Sequence, residues 1–295
     1  MRYRVYHETL FAYSDPVDLG SHMVHLGPRA LAHQRVISAS ITAEPVPSRI
    51  TVARDYFGND VRWLFVDHPH DEFSVLLEAE VDVLFPPAPN AWSTPLWEIV
   101  AAAARRGDGA SSAAAEFAFP SEMAPADPAV GAHAAISFPP GRPILDGLLD
   151  LTARINTEFA FRPGVTTIHT PVERVLAQRA GVCQDFTHLM IAGLRALGLP
   201  ARYVSGYLRT RPPPDKVARR GADQSHAWVG CWLGPEHGWV DLDPTNNLIV
   251  SDEHLVLAWG RDYGDISPVR GVILGGGEHT ATVSVTLEPM AGTAP

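Results

Sequence analysis

The chain has 295 residues, a hydrophobic fraction of 46%, a charged fraction of 19% and a formal net charge of −10. These values are typical of a globular protein with one large domain or two ordinary ones. The acidic balance, without a basic stripe, argues against nucleic acid as a partner. The sequence has no uninterrupted apolar run of about 18 residues and no apolar signal segment after Met1. We therefore expect a cytoplasmic protein without a membrane partner.

The first 85 residues are predicted to form a small antiparallel β-sandwich domain. They contain short alternating or β-branched runs, which favour strands, at residues 3–7, 35–42, 49–53, 61–66 and 73–84. Turn signals separate the runs, and the first extends from Ser14 to Pro16. Six histidines lack acidic or thiol neighbours at metal-ligand spacing and are expected at surface or turn positions: His7, His22, His25, His33, His68 and His70.

The composition changes to proline and alanine between residues 86 and 143, which we interpret as a linker with short helices. One helix is predicted for residues 93–106, with Gly107 at its end. From Ile144 the apolar spacing is helical again. This helix is predicted to open a catalytic core that covers residues 144–295.

A helix is also predicted to begin at Cys183. Apolar residues recur after it at helical spacing, and Gly198 with Pro200 predicts that the helix ends near Leu197. Unpaired N–H groups and the helix dipole favour negative charge at a helix N-terminus. Since the thiolate is the nucleophilic form of cysteine, Cys183 is a candidate nucleophile. A buried packing role is the alternative for a single cysteine.

Three strands are predicted downstream, at residues 201–208, 226–233 and 238–243. A proline-rich loop at residues 211–215 follows the first strand, and residues 234–237 form a hairpin turn between the other two.

The hairpin register decides which side chains share a face. If Leu233 lies opposite Gly238, a set of four side chains points to one side of the sheet: His226, Trp228, Asp241 and Asp243. Asp243 is then the diagonal neighbour of His226, and Asp241 lies two residues further away. Asp243 is therefore predicted to orient His226.

The same alternation places Cys231 on the opposite face of its strand from His226. A zinc site that combines Cys183, His226 and Cys231 is therefore disfavoured, and no metal or cofactor is predicted. Cys231 is interpreted as a buried packing residue. A disulfide between the two cysteines would require that this opposite face be turned toward the Cys183 helix.

Four motifs resemble the transglutaminase-like superfamily, in particular its bacterial branch of transglutaminase-like enzymes or candidate cysteine proteases. They are GVCQDFTHL at 181–189, ARYVSGY at 201–207, SHAW at 225–228 and GWVDLDPTN at 238–246. Residues 3–7, 26–29 with Gln34, and 55–59 resemble the β-rich domain that precedes the core in this branch. The resemblance implies an α+β architecture with a papain-like core, and it implies that Cys183, His226 and Asp243 are catalytic.

The function expected from these features is acyl transfer through a thioester on Cys183, with a protein or peptide as substrate. The Cys183 N–H is expected to hold the oxyanion. Four residues are further candidates for the oxyanion site or the cleft, with core packing as the alternative for the aromatic ones: Gln184, Trp228, Trp239 and Tyr207. Water as acceptor would give peptidase or amidase activity, and an amine would give transglutaminase activity. A catalytically silent binding module that keeps the fold is the alternative function.

Overall fold

The computed structural model describes residues 1–210 and 224–290 of the chain. The proline-rich loop predicted at residues 211–215 lies outside these ranges. The described strands are β1 (Arg2–Val24), β2 (Gln34–Glu44), β3 (Arg49–Arg54), β4 (Asp60–Val66), β5 (His70–Val83), β6 (Ala160–Phe161), β7 (Ala180–Gly181), β8 (Ala201–Leu208), β9 (Gln224–Trp232), β10 (Trp239–Asp243), β11 (Leu248–Ile249), β12 (His254–Gly260), β13 (Val269–Gly275) and β14 (His279–Met290). The described α-helices are α1 (Trp97–Arg106), α2 (Ser112–Ala115), α3 (Pro128–Ala135), α4 (Ile144–Glu158), α5 (Val172–Gln178), α6 (Cys183–Ala196) and α7 (Tyr263–Ile266).

The N-terminal sheet is built on the long strand β1. Along its first half β1 pairs with β5 and β14, and along its second half it pairs with β4 and β13, always antiparallel. Strands β2 and β3 extend the two halves. Buried side chains of both halves, such as Val75 and Val66, belong to one hydrophobic cluster. The predicted antiparallel β-rich domain is thus confirmed.

The predicted turn from Ser14 to Pro16 is wrong, because β1 continues through it. The pairing of β1 with β5 is irregular between Ala12 and Val17. A bulge leaves a residue of the strand unpaired. Proline, which has no N–H to donate, is tolerated at such an irregularity. A signal that normally ends a strand therefore only interrupts the ladder here.

The last described strands also belong to the N-terminal sheet. β14 pairs with β1 in continuous register, from Arg2 opposite Met290 to Tyr13 opposite His279. Residues near both ends of the described chain therefore pair in one ladder. The predicted catalytic core, residues 144–295, would have included β14, which the structure instead pairs with the N-terminal sheet. The predicted boundaries at residues 85 and 143 stay predictions.

The second sheet is antiparallel and has the order β11-β10-β9-β8-β12. One face packs against α6, where Phe186 shares a hydrophobic cluster with Tyr203 and Val229. Helix α6 ends as predicted, since Gly198 adopts a left-handed φ of +77° and the Leu199 N–H donates to the Leu194 carbonyl at 3.0 Å. Helices on one side of an antiparallel sheet define the predicted α+β class.

Strand β12 lies at the edge of this sheet, and side-chain amides of the N-terminal domain pair with its backbone. Gln34 accepts from the Val256 N–H at 2.8 Å and donates to the Val256 carbonyl at 2.7 Å. Asn59 makes the same pair of bonds with Trp259, at 3.0 and 2.8 Å. The two amides therefore take the place of a neighbouring strand and join the two domains at this edge.

We predict that Gln34→Leu destabilises the whole protein. Gln34 is fully buried, and its loss leaves the Val256 N–H without the acceptor at Gln34 Oε1, which costs about 1–3 kcal/mol. The free energy of unfolding, measured in urea, should fall accordingly. Ser38→Ala, at an exposed position of the same strand, should change it by less than about 0.5 kcal/mol. Equal stability of the two variants would contradict this role for Gln34.

Candidate active site

Cys183 is the first residue of α6, and its side chain is half-buried. At that position its N–H is one of those without an acceptor inside the helix. The start of the helix is fixed by Asp185, whose carboxylate accepts from the Val182 N–H and from the Thr166 hydroxyl, both at 2.7 Å. Gly181 makes room for that carboxylate, because a Cβ there would lie 2.7 Å from Asp185 Oδ2.

His226 and Asp243 are brought together by the hairpin of β9 and β10. The pairs Trp232–Trp239 and Val229–Leu242 give the register that the sequence predicted. In this register Asp243 lies diagonal to His226, and the His226 Nε2–H donates to Asp243 Oδ2 at 2.8 Å. Asp241 is instead the acceptor for the Trp228 indole N–H at 3.0 Å.

Asp243 is fully buried, and both of its oxygens accept hydrogen bonds. Oδ1 accepts from the backbone N–H groups of Thr245 and Asn246 at 2.9 and 3.1 Å. Oδ2 accepts from the Asn246 side-chain amide at 2.7 Å and from His254 Nε2 at 3.4 Å, besides His226. Burial raises the pKa of Asp243, but the hydrogen bonds, above all that from His226, hold it well below its usual range. Asp243 is therefore an anion.

His226 forms side-chain hydrogen bonds to both Asp243 and Cys183. Since Nε2 faces Asp243, Nδ1 is the nitrogen left for the thiol. Burial lowers the pKa of His226, but the hydrogen bonds to Asp243 and Cys183 outweigh burial and raise it above the ordinary value. The imidazole is therefore well placed to take and keep the proton of the thiol.

Cys183 and His226 open onto a cavity of about 400 Å³ between the two domains. Strands β1 and β14 of the N-terminal sheet supply one wall, on which Thr9 lies opposite Val283 and Phe11 lies opposite Ala281. Ile168, Pro268 and Val269 are further apolar residues of the lining. Near Cys183 the lining includes the polar residues Gln184, Ser205, Ser225 and His226, whereas much of the wall is apolar.

His7 is part of the same wall, which differs from the surface or turn position expected for it. It shares hydrogen bonds with Thr9 and with Tyr207, each at 2.7 Å. Burial lowers the pKa of His7 to about 4. His7 therefore stays neutral and serves to join the sheet wall to β8.

Of the four further cleft candidates, Gln184 lies in the cavity lining. Its amide donates to the Ile168 carbonyl at 3.1 Å. Trp228 and Tyr207 are fully buried and are bonded to Asp241 and His7. Trp239 packs beneath the Arg202 guanidinium, at 4.3 Å from the ring centre. Trp228 and Tyr207 are thus interior residues, which was the alternative for them, whereas Trp239 is half-buried; the cavity lining includes none of the three.

Both cysteines are free. Cys231 is buried in the cluster beside α6, as expected of a packing residue. Among the described residues one group has the spacing of metal ligands, namely His226, Asp243 and His254, whose ligand atoms lie within 4.8 Å of one another. A metal ion there would displace the Nε2 protons that bind Asp243. Metal binding and the hydrogen-bonded arrangement therefore exclude each other.

Asn246 and His254 are partners of Asp243 that were not predicted from the sequence. An aspartate at a strand end commonly accepts the N–H groups two and three residues onward, so the Asp-Pro-Thr-Asn run carried a signal for Asn246. His254 carried no local signal, because it reaches Asp243 from another strand.

A mixed α/β chain with a thiol at a helix start, an imidazole and a buried carboxylate has the architecture of a papain-like thiol protein. Residues 3–82 match the family described as the bacterial transglutaminase-like N-terminal region, and residues 140–244 match the transglutaminase-like superfamily. The chain belongs to the transglutaminase-like superfamily.

An uncharacterized protein of Mycobacterium tuberculosis is 41% identical over 99% of this chain and 94% of its own length. A protein-glutamine gamma-glutamyltransferase of Pseudomonas aeruginosa is 34% identical over 41% of this chain and 20% of its own length. The crystal structure of a candidate cysteine protease from Cytophaga hutchinsonii matches with a TM-score of 0.73 and 22% identity, covering 99% of this chain and 92% of the other. This last match shows the fold.

No helix within residues 1–210 and 224–290 is both long and apolar enough to span a membrane. The cytoplasmic location expected from the sequence stays a prediction.

We predict that Asp243→Asn lowers the pKa of His226, since the hydrogen bond to the Asp243 carboxylate and its charge no longer oppose the effect of burial. The C2–H resonance of His226, followed by NMR between pH 4 and 10, measures this pKa. Asp241→Asn is the matched control, because Asp241 binds Trp228 instead. This substitution should leave the pKa of His226 unchanged. An unchanged titration in Asp243→Asn would contradict the assignment.

We also predict a pH dependence of stability. The pKa of His226 is higher in the folded than in the unfolded protein. Its stabilising contribution is therefore complete below the unfolded value of about 6.5 and is lost as the pH rises through the folded value. Unfolding in urea between pH 6 and 10 should show a fall in wild-type stability that is smaller in Asp243→Asn. Parallel curves for the two proteins would contradict this linkage.

Proposed function

We propose that the protein is a thiol acyl-transfer enzyme that acts on amide or peptide carbonyls through Cys183, His226 and Asp243. The observation that carries this proposal is the hydrogen-bonded chain from a thiol at a helix start, through a buried imidazole, to a carboxylate anion. The Cys183 thiol has a proton acceptor in His226, and His226 has an orienting carboxylate in Asp243, as nucleophilic catalysis requires.

The proposed reaction has two steps. His226 takes the thiol proton, the Cys183 sulfur attacks the carbonyl carbon, and the N–H of Cys183 stabilises the oxyanion. His226 then gives its proton to the leaving amine, and a thioester remains on Cys183. In the second step His226 takes a proton from water or from an amine, which attacks the thioester and releases Cys183. Asp243 keeps the imidazole oriented throughout.

Hydrolysis is the favoured fate of the thioester, since it needs no second binding site for an acceptor. We propose a protein or peptide as the substrate, and neither nucleic acid nor a membrane surface as a partner. The related protein-glutamine gamma-glutamyltransferase makes a glutamine side chain a reasonable first donor to test.

The apolar wall suggests which peptides fit. Phe11, Ala281 and Val283 face the cavity from the N-terminal sheet. An apolar side chain next to the reacting carbonyl would lose its water against this wall and would gain free energy on binding. We therefore propose that the N-terminal domain takes part in substrate selection.

Alkylation by iodoacetamide tests the nucleophile without a known substrate. At pH 7, Cys183 of the folded protein should react well before Cys231, which is buried. His226→Ala should slow the reaction at Cys183 by about 10²-fold, the lower end of the contribution of a general base. His68→Ala, which removes an exposed histidine, should have no effect. A rate independent of His226 would favour the silent binding module.

Turnover tests the reaction itself. A glutamine-containing peptide incubated with a labelled primary amine should release ammonia with the wild-type protein and none with Cys183→Ala. Release without incorporation of the label would identify a hydrolase, and incorporation would identify a transferase. If Cys183→Ala kept the wild-type rate, Cys183 would not be the nucleophile.

Val283→Asp tests the apolar wall. For peptides with an apolar residue beside the reacting carbonyl, we expect kcat/KM to fall by about tenfold, because a charge replaces the apolar contact. Val272→Asp is the matched control, since Val272 is exposed on β13 and lies outside the cavity lining. Equal effects of both substitutions would contradict a role of the wall in selection.

A further inference from the structure

His254 is a buried histidine on the edge strand β12, 1% exposed. Strand β8 separates it from His226, since Leu208 pairs with His254 and Gly206 pairs with His226. Residues at positions 206 and 208 of a strand share one face, as do the residues directly opposite them. The side chains of His254 and His226 therefore lie on the same face of the sheet, two strands apart.

Gly206 makes the approach of the two histidines possible. A Cβ at this position would lie 2.4 Å from Trp228 Cη2 and 2.1 Å from the Leu255 carbonyl oxygen. Because Gly206 has no Cβ, the Trp228 ring packs over β8 and meets the His254 ring edge-on, with 5.2 Å between the ring centres. The centres of the His254 and His226 rings are 6.2 Å apart. His254 thus reaches across the strand that separates it from the site.

The Nε2 atoms of His226 and His254 face the same oxygen, Oδ2 of Asp243, at 2.8 and 3.4 Å. Because Asp243 is an anion and can only accept, each histidine must present an N–H at Nε2. The Nδ1 atom of His254 is buried and has no hydrogen-bond partner among the described residues. A buried proton on Nδ1 would lack an acceptor, so the tautomer protonated at Nε2 alone fits this environment.

We propose that His254 is a positioning residue for the reaction at Cys183: by donating its Nε2–H to Asp243 Oδ2, it holds the carboxylate in the orientation that fixes the His226 imidazole. This inference rests on the proposed function. Asn246 and the backbone hold Asp243 from its own strand end. His254 is the partner that holds it from the far side of the sheet, on the strand whose edge is braced by Gln34.

A matched pair of substitutions separates this donor from mere space filling. His254→Gln keeps an N–H donor near the position of Nε2, whereas His254→Met has a similar unbranched shape without a donor. We expect the alkylation rate constant of Cys183, per folded molecule, to fall about tenfold or more in His254→Met and to stay within about threefold of wild type in His254→Gln. With a substrate, the loss in His254→Met should appear in kcat rather than KM.

Two outcomes of this experiment overturn the inference. An unchanged rate in His254→Met would show that the donor is dispensable. An equal loss in both variants would show that His254 only fills space. Unfolding in urea reports the folded fraction separately, so that a loss of stability does not count as a loss of reactivity.

The tautomer gives a test that does not depend on activity. In wild-type protein with ¹⁵N-labelled imidazoles, the His254 ring should be protonated at Nε2 and bare at Nδ1. A proton on Nδ1 instead would overturn the inference. Suppose that His226→Ala leaves the alkylation rate of Cys183 unchanged, while His254 of the wild-type protein shows the expected tautomer. The proposed function then fails, and the hydrogen bond from His254 to Asp243 stands.

Discussion

The buried carboxylate of Asp243 is the group on which the candidate site depends. A bare carboxylate in the interior would be strongly unfavourable, and it would take up a proton. Asp243 avoids this because donors from its own strand end, from β9 and from β12 converge on its two oxygens. The negative charge in turn raises the pKa of His226 against the effect of burial. Removing the charge would therefore change the protonation state of His226, which is also the hydrogen-bond partner of the Cys183 thiol.

Local patterns predicted the Cys183 helix and the pairing of His226 with Asp243, and the family resemblance implied that the three residues act together. Helical spacing and a glycine stop located α6, and a four-residue turn fixed the register that places Asp243 diagonal to His226. Local patterns also located most strands of the N-terminal sheet. They failed at Ser14, where a tertiary ladder carries β1 through a turn signal.

The remaining parts of the site come from distant pairing. The pairing of β14 with β1 joins residues almost 290 positions apart, and no short pattern encodes it. The cavity wall of Phe11 and Val283 depends on that ladder. His254 reaches Asp243 only because β12 pairs with β8. The family resemblance pointed to Gln34, but its role at the edge of β12 required the structure.

Three buried histidines near the cavity show what makes one of them suitable as a base. Burial lowers the pKa of His7 and of His188 to about 4 in each case. Their partners are a hydroxyl pair for His7 and the Tyr263 N–H, which donates to His188 Nε2 at 3.2 Å. Neither ring has a carboxylate within hydrogen-bonding distance among the contacts described, whereas His226 has Asp243 at 2.8 Å. Burial alone therefore yields neutral structural histidines. The buried Asp243 carboxylate binds two rings, those of His226 and His254, and of these two it is His226 that also contacts Cys183 and is therefore suited to accept the thiol proton.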